Sequence, residues 1–410
     1  MTVSRGLVEA QGARFAGIDP LLPAVVAPPD GDVITAALPD GTRVAGVVQH
    51  QVHDRTSAAR LWSASEVWEL TPLLGGAGAA GMDALLRAWR QWLDRVGAAE
   101  RDSACVVTWP SRDAEAGRAL LDHGLVPLSV IAVRRTPPTG VNSPAVPRTP
   151  AAQVPPLAGA LTARTPPGSP PHATRAAHTP PNPPPHTTRA AHTSDTSTYT
   201  SSDTSSAGSA PHPSSNGQAP GAPAARAPHP DQPAARGTRS GPPPPGMPTI
   251  RRATPADLDA VLTLALAELR YSALVGSTVD RPEAVGIKRR ALAERLAAGG
   301  PAWLVERDGI AVALAECALV TSEPGNWTST RLPTGRWGYV NCVSVLPGAR
   351  GAGIGRHLMA YAHRELQRLG TVGSYLYYNP PNPLSSVFWP RQGYRPLWTV
   401  WEVRPASALR

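Results

Sequence analysis

A glycine-rich segment, "VLPGARGAGIGRHLM" at 345–359, carries the clearest chemical signal in the sequence. Three glycines, Gly351, Gly353 and Gly355, stand at alternate positions after Arg350. Glycine lets the backbone come close to a ligand and present successive N–H groups to it, and the amino end of a helix favours an anion. The segment therefore predicts an anion-binding loop, against the simpler interpretation of a turn that only joins a strand to a helix.

Two well-known phosphate loops do not fit this segment. The dinucleotide fingerprint G-x-G-x-x-G requires a third glycine where Arg356 stands, and the nucleoside triphosphate loop requires a lysine that the segment lacks. What remains is the pattern Arg350-x-x-Gly353-x-Gly355 at a junction between a strand and a helix.

The elements that must position this loop follow from the apolar pattern. "WGYVNCVSV" before it has the composition of a strand. Behind it, a helical face repeats every three or four residues and comprises Ile354, Leu358, Ala362, Leu366 and Leu369. A strand ("GSYLYYN"), a short helix ("PLSSVFWPRQG") and a last strand ("YRPLWTVWEV") come next.

The residues before the loop predict two helices and three strands. A strand at "TIRRAT" precedes a helix that Thr254 caps and that has Pro255 at its first position. A second helix is expected over about Glu283–Ala298, and two strands are joined by a turn at Asp308-Gly309. The predicted order is β-α-α-β-β-β-α-β-α-β, an α/β (α+β) fold with a mixed sheet flanked by helices.

Two segments of this region resemble motifs of one known family. The pattern Val345-x-Pro347-x-x-Arg350-Gly351-x-Gly353-Ile354-Gly355 resembles the acetyl-CoA-binding signature of the Gcn5-related N-acetyltransferase (GNAT) superfamily. Downstream, "NPLSSVFWPRQGY" is similar to the N-x-x-A-x-x-x-Y-x-x-x-G-F segment of that family. The resemblance covers about residues 249–405 and implies acetyl-CoA as co-substrate, transfer of its acetyl group to an amine, and no metal.

The resemblance also implies roles for individual residues. Backbone groups of Val343 and Val345 are expected to bind the pantetheine arm, and the amide of Val343 to polarise the thioester carbonyl. Asn382 and Ser385 are expected at the far end of that arm. The loop that would wrap the pyrophosphate consists of Arg350, Gly351, Ala352, Gly353, Ile354, Gly355 and Arg356.

The acid and base positions depart from the family pattern. Trp389 stands where family members often have a tyrosine, and indole is no acid at neutral pH, so Tyr378 is a neighbouring candidate. Asn341 stands where many members have a glutamate, which leaves Glu316 on the preceding strand as the candidate base. For Cys342 we expect a packed thiol, since no His/Asp arrangement accompanies it.

Residues 1–135 read as a diverged second copy of the same domain. "WELTPLLGGAGAAGMDALLRAWRQWLDRVG" parallels the strand, loop and helix at 339–370, but Gly75 or Gly76 stands at the place of Arg350. The following segment places Gly124 against Gly393 and Leu120 against Trp389. We expect this copy to be structural or to shape the acceptor site, with residual acyl-CoA binding as the alternative.

Composition separates the two copies and limits the classes of function. Between them, 136–248 is rich in Pro, Ala, Ser and Thr and repeats a nine-residue unit, so we expect a disordered linker before the acetyltransferase domain at 249–410. The net charge of +9 comes from scattered arginines, which does not favour nucleic acid. Three separated cysteines and the lack of an apolar leader or membrane-length stretch predict a cytoplasmic protein.

The sequence thus predicts an acetyl-CoA-dependent N-acetyltransferase whose C-terminal domain acts on a small-molecule or peptide amine. The alternative is a non-catalytic acyl-CoA sensor or scaffold, which Trp389 and Asn341 favour. The identity of the acceptor and the oligomeric state are open at this stage.

Overall fold

The computed structural model describes residues 5–97, 101–136, 248–276 and 278–410. Apart from Thr136 and Pro248, the predicted linker at 136–248 and its nine-residue repeat lie outside these residues. The described residues before and after it belong to one compact unit.

The N-terminal half of this unit contains three helices and five strands. They are α1 (Arg5–Ile18), β1 (Asp32–Ala37), β2 (Arg43–Val52), β3 (Glu66–Leu73), α2 (Gly78–Val96), β4 (Ser103–Pro110), α3 (Ala114–Asp122) and β5 (Val126–Arg135).

The C-terminal half contains the ten elements that the sequence predicts, in the predicted order. They are β6 (Thr249–Arg252), α4 (Leu258–Leu274), α5 (Ala284–Ala297), β7 (Ala302–Arg307), β8 (Ile310–Ser322), β9 (Gly335–Val345), α6 (Ile354–Arg368), β10 (Gly373–Tyr378), α7 (Pro383–Arg391) and β11 (Arg395–Val403).

Local signals explain where the elements of the C-terminal half begin and end. Thr254 and Asp257 form a capping box in the 3-10 turn that leads into α4, in which both the amide and the hydroxyl of Thr254 donate to Asp257 Oδ2 over 2.8 Å. The turn at Asp308-Gly309 has positive φ at both residues, 52° and 76°, which is typical of a tight hairpin between β7 and β8.

The two halves have the same order of elements. From β1 to β5 the order is three antiparallel strands, a helix, a parallel strand, a helix and a last strand, and the order from β7 to β11 is identical. This matching order is what a second copy predicts, although the common origin of the halves stays a prediction.

One mixed sheet runs through both halves, because each half contributes its last strand to the other. The strand order is β1-β2-β3-β4-β11-β5-β10-β9-β8-β7-β6. The last strand of the C-terminal half, β11, therefore lies between β4 and β5, while β5 lies between β11 and β10. Each half thus depends on the other for a strand, so the fold of the C-terminal half requires the N-terminal residues.

Helices cover both faces of the sheet in the C-terminal half. Successive side chains of β8 face opposite sides of the sheet and belong to two different cores. Leu314 packs with α4 and α5, whereas Ala313 and Ala315 pack with α6 and α7. Among the described residues, no helix has the length and apolar character that crossing a membrane requires.

Candidate functional site

The central strands β9 and β10 part after three paired residues. Their parallel pairing runs from Trp337 and Gly373 to Tyr339 and Tyr375. Beyond that point a cavity of about 560 Å³ opens, lined by residues of β9 and β10.

This cavity reaches both faces of the sheet. On one side it is lined by residues of α4, and on the other by residues of α6 and α7. Among its lining residues only Glu268 and Arg350 carry charge. The predicted site residues that line it are Asn341, Val343, Val345, Arg350, Gly355, Tyr378, Asn382 and Ser385.

The amides of Val343 and Val345 point into the gap. Leu346 donates its amide to the carbonyl of Val312, next to β8, over 3.0 Å. Because N–H groups alternate in direction along a strand, the amides of Val345 and Val343 face away from β8. The carbonyl of Val345 accepts a hydrogen bond from Arg350 Nε at 2.9 Å, which agrees with this orientation.

The glycine-rich loop has the backbone conformation that its residues predict. Gly351 and Gly353 have φ of 84° and 75°, which a side chain would strain, and α6 begins directly after them. The first amides of α6 lack acceptors within the helix. Arg350 lies 5.6 Å from the ring centroid of Tyr271, and the loop residues Ala352 and Arg356 are exposed. The loop therefore presents N–H groups and a guanidinium at one end of the cavity.

Asn382 has a local structural role that the sequence comparison does not show. It caps α7, since its Oδ1 accepts hydrogen bonds from the amides of Leu384 and Ser385 at 2.9 and 3.1 Å. Ser385 in turn donates its hydroxyl to the carbonyl of Asn379 at 3.2 Å. Both predicted residues line the cavity, but these bonds hold the start of the helix.

Asn379 is a cavity residue that sequence reasoning missed. It follows β10 directly and is buried, and its Nδ2 donates to the carbonyl of Leu128 on β5 over 2.8 Å. Its Oδ1 is buried and has no hydrogen-bond partner among the described residues. A buried acceptor of this kind needs a donor, so it is suited to an N–H group of a ligand.

The aromatic residues near α7 include Trp389 and the acid candidate Tyr378. Trp389 is buried against Phe388 and Tyr394, with ring centroids 4.9 and 5.4 Å away. Tyr378 is half-buried, and burial raises the pKa of its hydroxyl. Tyr378 is therefore protonated at neutral pH and is able to donate a proton.

Glu316 is bound within the protein. One carboxylate oxygen accepts from Arg295 and the other from Asn341 Nδ2, the latter over 2.7 Å. Asn341 sits at a β-bulge, where the pairing of β8 and β9 shifts by one residue. Glu316 is buried and is not a lining residue of the cavity. These contacts favour a structural role for Glu316, and its role as base stays a prediction.

Glu268 of α4 is the carboxylate that does line the cavity. Its Oε1 accepts a hydrogen bond from Ser272 at 2.7 Å, while its Oε2 is buried without a partner among the described residues. Burial raises the pKa of Glu268, although Ser272 and the charge of Lys288 lower it. In the sequence, Glu268 could have been singled out as a carboxylate within the mostly apolar run "LALAELRYSAL".

Cys342 also lines the cavity, yet its environment opposes reactivity. Burial, with the nearby Glu268 carboxylate, raises the pKa of its thiol well above the ordinary value. The expectation of a packed thiol agrees with this environment. Within the described ranges, no three His, Cys, Asp or Glu side chains are arranged to hold a metal ion.

The equivalent loop of the N-terminal half is covered by α1. Gln11 is buried, and its Oε1 accepts the amides of Leu74 and Gly75, both at 3.0 Å. Asp113 caps α3 as Asn382 caps α7, and it accepts from Arg14 of α1 over 2.6 Å. A ligand at this loop would have to displace α1.

Phe15 extends the cover that α1 forms over the N-terminal half. Its buried ring packs edge-on against Trp109 of β4 and Trp398 of β11, with ring centroids 5.3 and 5.6 Å apart. Helix α1 therefore fills this region with an apolar side chain as well as with the polar groups of Gln11 and Arg14.

The raised pKa of Glu268 predicts a pH-dependent effect of its replacement on stability. Because the folded pKa lies above the ordinary 4.5, the folded state binds this proton more tightly. The resulting stability is fully present below pH 4.5 and is lost as pH rises through the folded pKa. Glu268→Gln is therefore expected to gain free energy of unfolding relative to the wild type as pH rises from about 4 to about 8.

Urea denaturation across this range measures the effect. Glu294→Gln, which removes an exposed carboxylate of α5, is the control and should show a nearly constant difference from the wild type. A Glu268→Gln difference that stays flat or falls with pH contradicts the assigned environment.

Solved acetyltransferase structures resemble the chain at low sequence identity. A GCN5-related N-acetyltransferase from Ralstonia eutropha shares 22% identity and covers 37% of this chain and 94% of its own, with a TM-score of 0.30. A predicted acetyltransferase with acetyl-CoA from Clostridium acetobutylicum shares 20% identity and covers 36% of this chain and 90% of its own, with a TM-score of 0.31. A GNAT family acetyltransferase from Brucella melitensis in complex with acetyl-CoA shares 20% identity and covers 38% of this chain and 87% of its own, with a TM-score of 0.28.

No curated protein gives a significant match to the sequence. The sequence model of the acetyltransferase (GNAT) family matches residues 268–394, which include Glu268, the parted strands, the glycine-rich loop and α7. Residues 268–394 therefore form a domain of the acetyltransferase (GNAT) family.

Proposed function

We propose that this protein transfers the acetyl group of acetyl-CoA directly to the amine of a small molecule or peptide. The observation that carries the proposal is the cavity through the sheet, which has the glycine-rich loop on one side and, on the other, the Glu268 carboxylate, whose Oε2 has no hydrogen-bond partner among the described residues. A cavity that reaches both faces lets a cofactor and an acceptor meet from opposite sides.

The side of α6 and α7 fits coenzyme A. The amides of the loop and the Arg350 guanidinium supply donors for a pyrophosphate. Along the gap, the amides of Val343 and Val345 face no paired strand, and Asn379 Oδ1 has no hydrogen-bond partner among the described residues, so these groups suit the amide groups of a pantetheine arm.

The reaction then needs a hydrogen-bond donor that stabilises the developing oxyanion and a group that accepts the proton of the amine. Acetyl-CoA supplies a thioester, whose acetyl carbon forms a bond to the amine nitrogen while its bond to sulfur breaks. The amide of Val343 would donate to the carbonyl oxygen as negative charge develops there, a contribution of about 3 kcal/mol.

Glu268 would take the proton that the amine loses. An acceptor amine arrives protonated at neutral pH, so its ammonium must first give up a proton to become a nucleophile. The Glu268 carboxylate, whose pKa is raised and whose buried Oε2 has no partner among the described residues, would bind the ammonium and accept this proton. Tyr378, on the other side of the gap, would protonate the leaving thiolate, whose ordinary pKa of about 8.5 also permits departure without an acid.

Replacement of Arg350 tests the cofactor loop. Arg350→Ala in the full chain is expected to weaken acetyl-CoA binding about 10- to 100-fold, because one charge-assisted contact to phosphate is lost. Isothermal titration calorimetry gives the dissociation constant. Arg368→Ala, at the far end of α6 where Arg368 pairs with Glu365, is the control and should leave the affinity unchanged. Equal affinities for the two variants would show that the loop does not bind the cofactor.

Replacement of Glu268 tests the proton acceptor. Glu268→Gln is expected to lower kcat/KM about 10²- to 10⁴-fold at neutral pH and to replace the acidic limb set by Glu268 with a rate that rises with pH as the amine itself deprotonates, because no carboxylate lining the cavity is left to titrate. The assay follows release of the CoA thiol with a panel of amines.

Glu316→Gln is the matched comparison, since it removes the other candidate carboxylate with the same change in shape. We expect it to retain the acidic limb of the pH profile. If that limb disappears in Glu316→Gln and persists in Glu268→Gln, the base is Glu316. Acetyl-CoA binding without transfer to any amine would favour the sensor function instead.

A further inference from the structure

The N-terminal half completes the wall of the cavity. Trp62, Leu128 and Ser129 line it, although the glycine-rich loop and Glu268 belong to the C-terminal half. Leu128 and Ser129 lie on β5, the strand that the N-terminal half contributes beside β10. Trp62 follows a short 3-10 turn, Ala58–Leu61, of the same half.

A set of polar contacts holds the backbone around Trp62 against the C-terminal half. Arg281 donates from Nε to the carbonyl of Arg60 at 2.7 Å and from Nη2 to the carbonyl of Ser63 at 3.1 Å. The same guanidinium pairs with Asp102 at 2.9 Å. Residues on both sides of Trp62 are thus fixed by one arginine that precedes α5.

Apolar packing adds to this attachment. The buried side chain of Leu61 packs with Leu269 of α4 and with Ala284 and Ile287 of α5. Thr278 also donates its hydroxyl to the carbonyl of Leu61. Trp62 is therefore positioned by the two helices that form the acceptor side of the sheet.

The ring of Trp62 and the carboxylate of Glu268 have Lys288 as a common charged neighbour. Lys288 is buried, and its Nζ lies 5.3 Å from the centroid of the Trp62 ring, within the range of a cation–π contact. The charge of Lys288 also acts on Glu268, whose pKa it lowers. Lys288 thus lies near both the ring and the carboxylate, although it is not a lining residue of the cavity.

The lining on this side defines the chemistry of an acceptor. Besides Glu268 the lining includes the aromatic rings of Trp62, Tyr339 and Tyr377, with Tyr271 beside Arg350, and the polar side chains of Ser272 and Asn341. With one carboxylate available, the site satisfies one ammonium group. The remaining surface of the acceptor would lie against rings, which suit an apolar or aromatic body and leave further charges without partners.

We infer that Trp62 is a specificity-determining residue for the acceptor, and that the acceptor is an amine carried on an apolar, ring-bearing body. This inference rests on the proposed acetyl transfer at the same site. It gives the N-terminal half a direct part in substrate selection.

Binding of a simple probe to the full chain tests the inference. The probe is 2-phenylethylamine, compared with ethylamine, and saturation-transfer NMR in the presence of CoA measures binding. We expect 2-phenylethylamine to bind more tightly than ethylamine, and Trp62→Ala to raise its dissociation constant about tenfold. Trp62→Phe, which keeps a ring, should recover most of the affinity.

Trp327→Ala is the matched control, because Trp327 is 61% exposed and is not a lining residue of the cavity. It should bind the probe as the wild type does. Equal affinities in Trp62→Ala and Trp327→Ala, or equal binding of the two amines by the wild type, would overturn the inference.

Two further measurements separate this inference from the proposed function. Trp62→Ala should keep the wild-type affinity for acetyl-CoA, since the groups assigned to acetyl-CoA, which are the glycine-rich loop, the β9 amides and Asn379, do not include Trp62. Binding of 2-phenylethylamine that depends on Trp62, without acetylation of any amine, would contradict the proposed transfer while supporting the inferred acceptor site.

Discussion

Buried backbone groups need hydrogen-bond partners, and on one side of β9 those partners end at Tyr339. Up to that residue β10 supplies them, and beyond it the strands diverge. The amides of Val343 and Val345 therefore face a cavity instead of a neighbouring strand. This opening creates the passage between the two faces of the sheet, and the glycine-rich loop, Asn379 and Glu268 are all arranged around it.

The N-terminal half meets the same requirement with its own residues. Helix α1 places Gln11 on the amides of Leu74 and Gly75, and Arg14 on the cap of α3. The amides of Leu74 and Gly75 correspond to amides of the glycine-rich loop in the C-terminal half, and the cap Asp113 corresponds to Asn382. One half thus keeps its backbone donors available to a ligand, and the other uses them to bind α1. The exchanged strands β5 and β11 make the closed half part of the same sheet as the open one.

Much of the C-terminal half follows from local signals in the sequence. The second helix, expected at about Glu283–Ala298, spans Ala284–Ala297, and the loop lies at the predicted junction. Capping residues, glycines and the spacing of apolar residues set these features, and all of them act over a few positions. The matching order of elements in the two halves can also be predicted from the sequence, because similar local signals occur in both halves.

The exchanged strands and the carboxylate of the cavity depend on contacts between distant residues. Alternation of side chains identifies β11 as a strand, but it does not determine whether β4 or β10 lies beside it. In the sequence Glu268 is one polar residue in an apolar helix, and its environment depends on distant residues such as Lys288, whose charge acts on it, and Trp62, which lines the same cavity. The helix α1 likewise acquires its role only through the side chains that reach Leu74 and Asp113.

We expect the chain to have a single cofactor site, in the C-terminal half, where the amides of Val343 and Val345 face the cavity. Isothermal titration calorimetry of the 410-residue chain with acetyl-CoA measures the number of sites. We expect one acetyl-CoA per chain, with that binding weakened by Arg350→Ala. Two equivalents per chain, or one that is unaffected by this replacement, would contradict it.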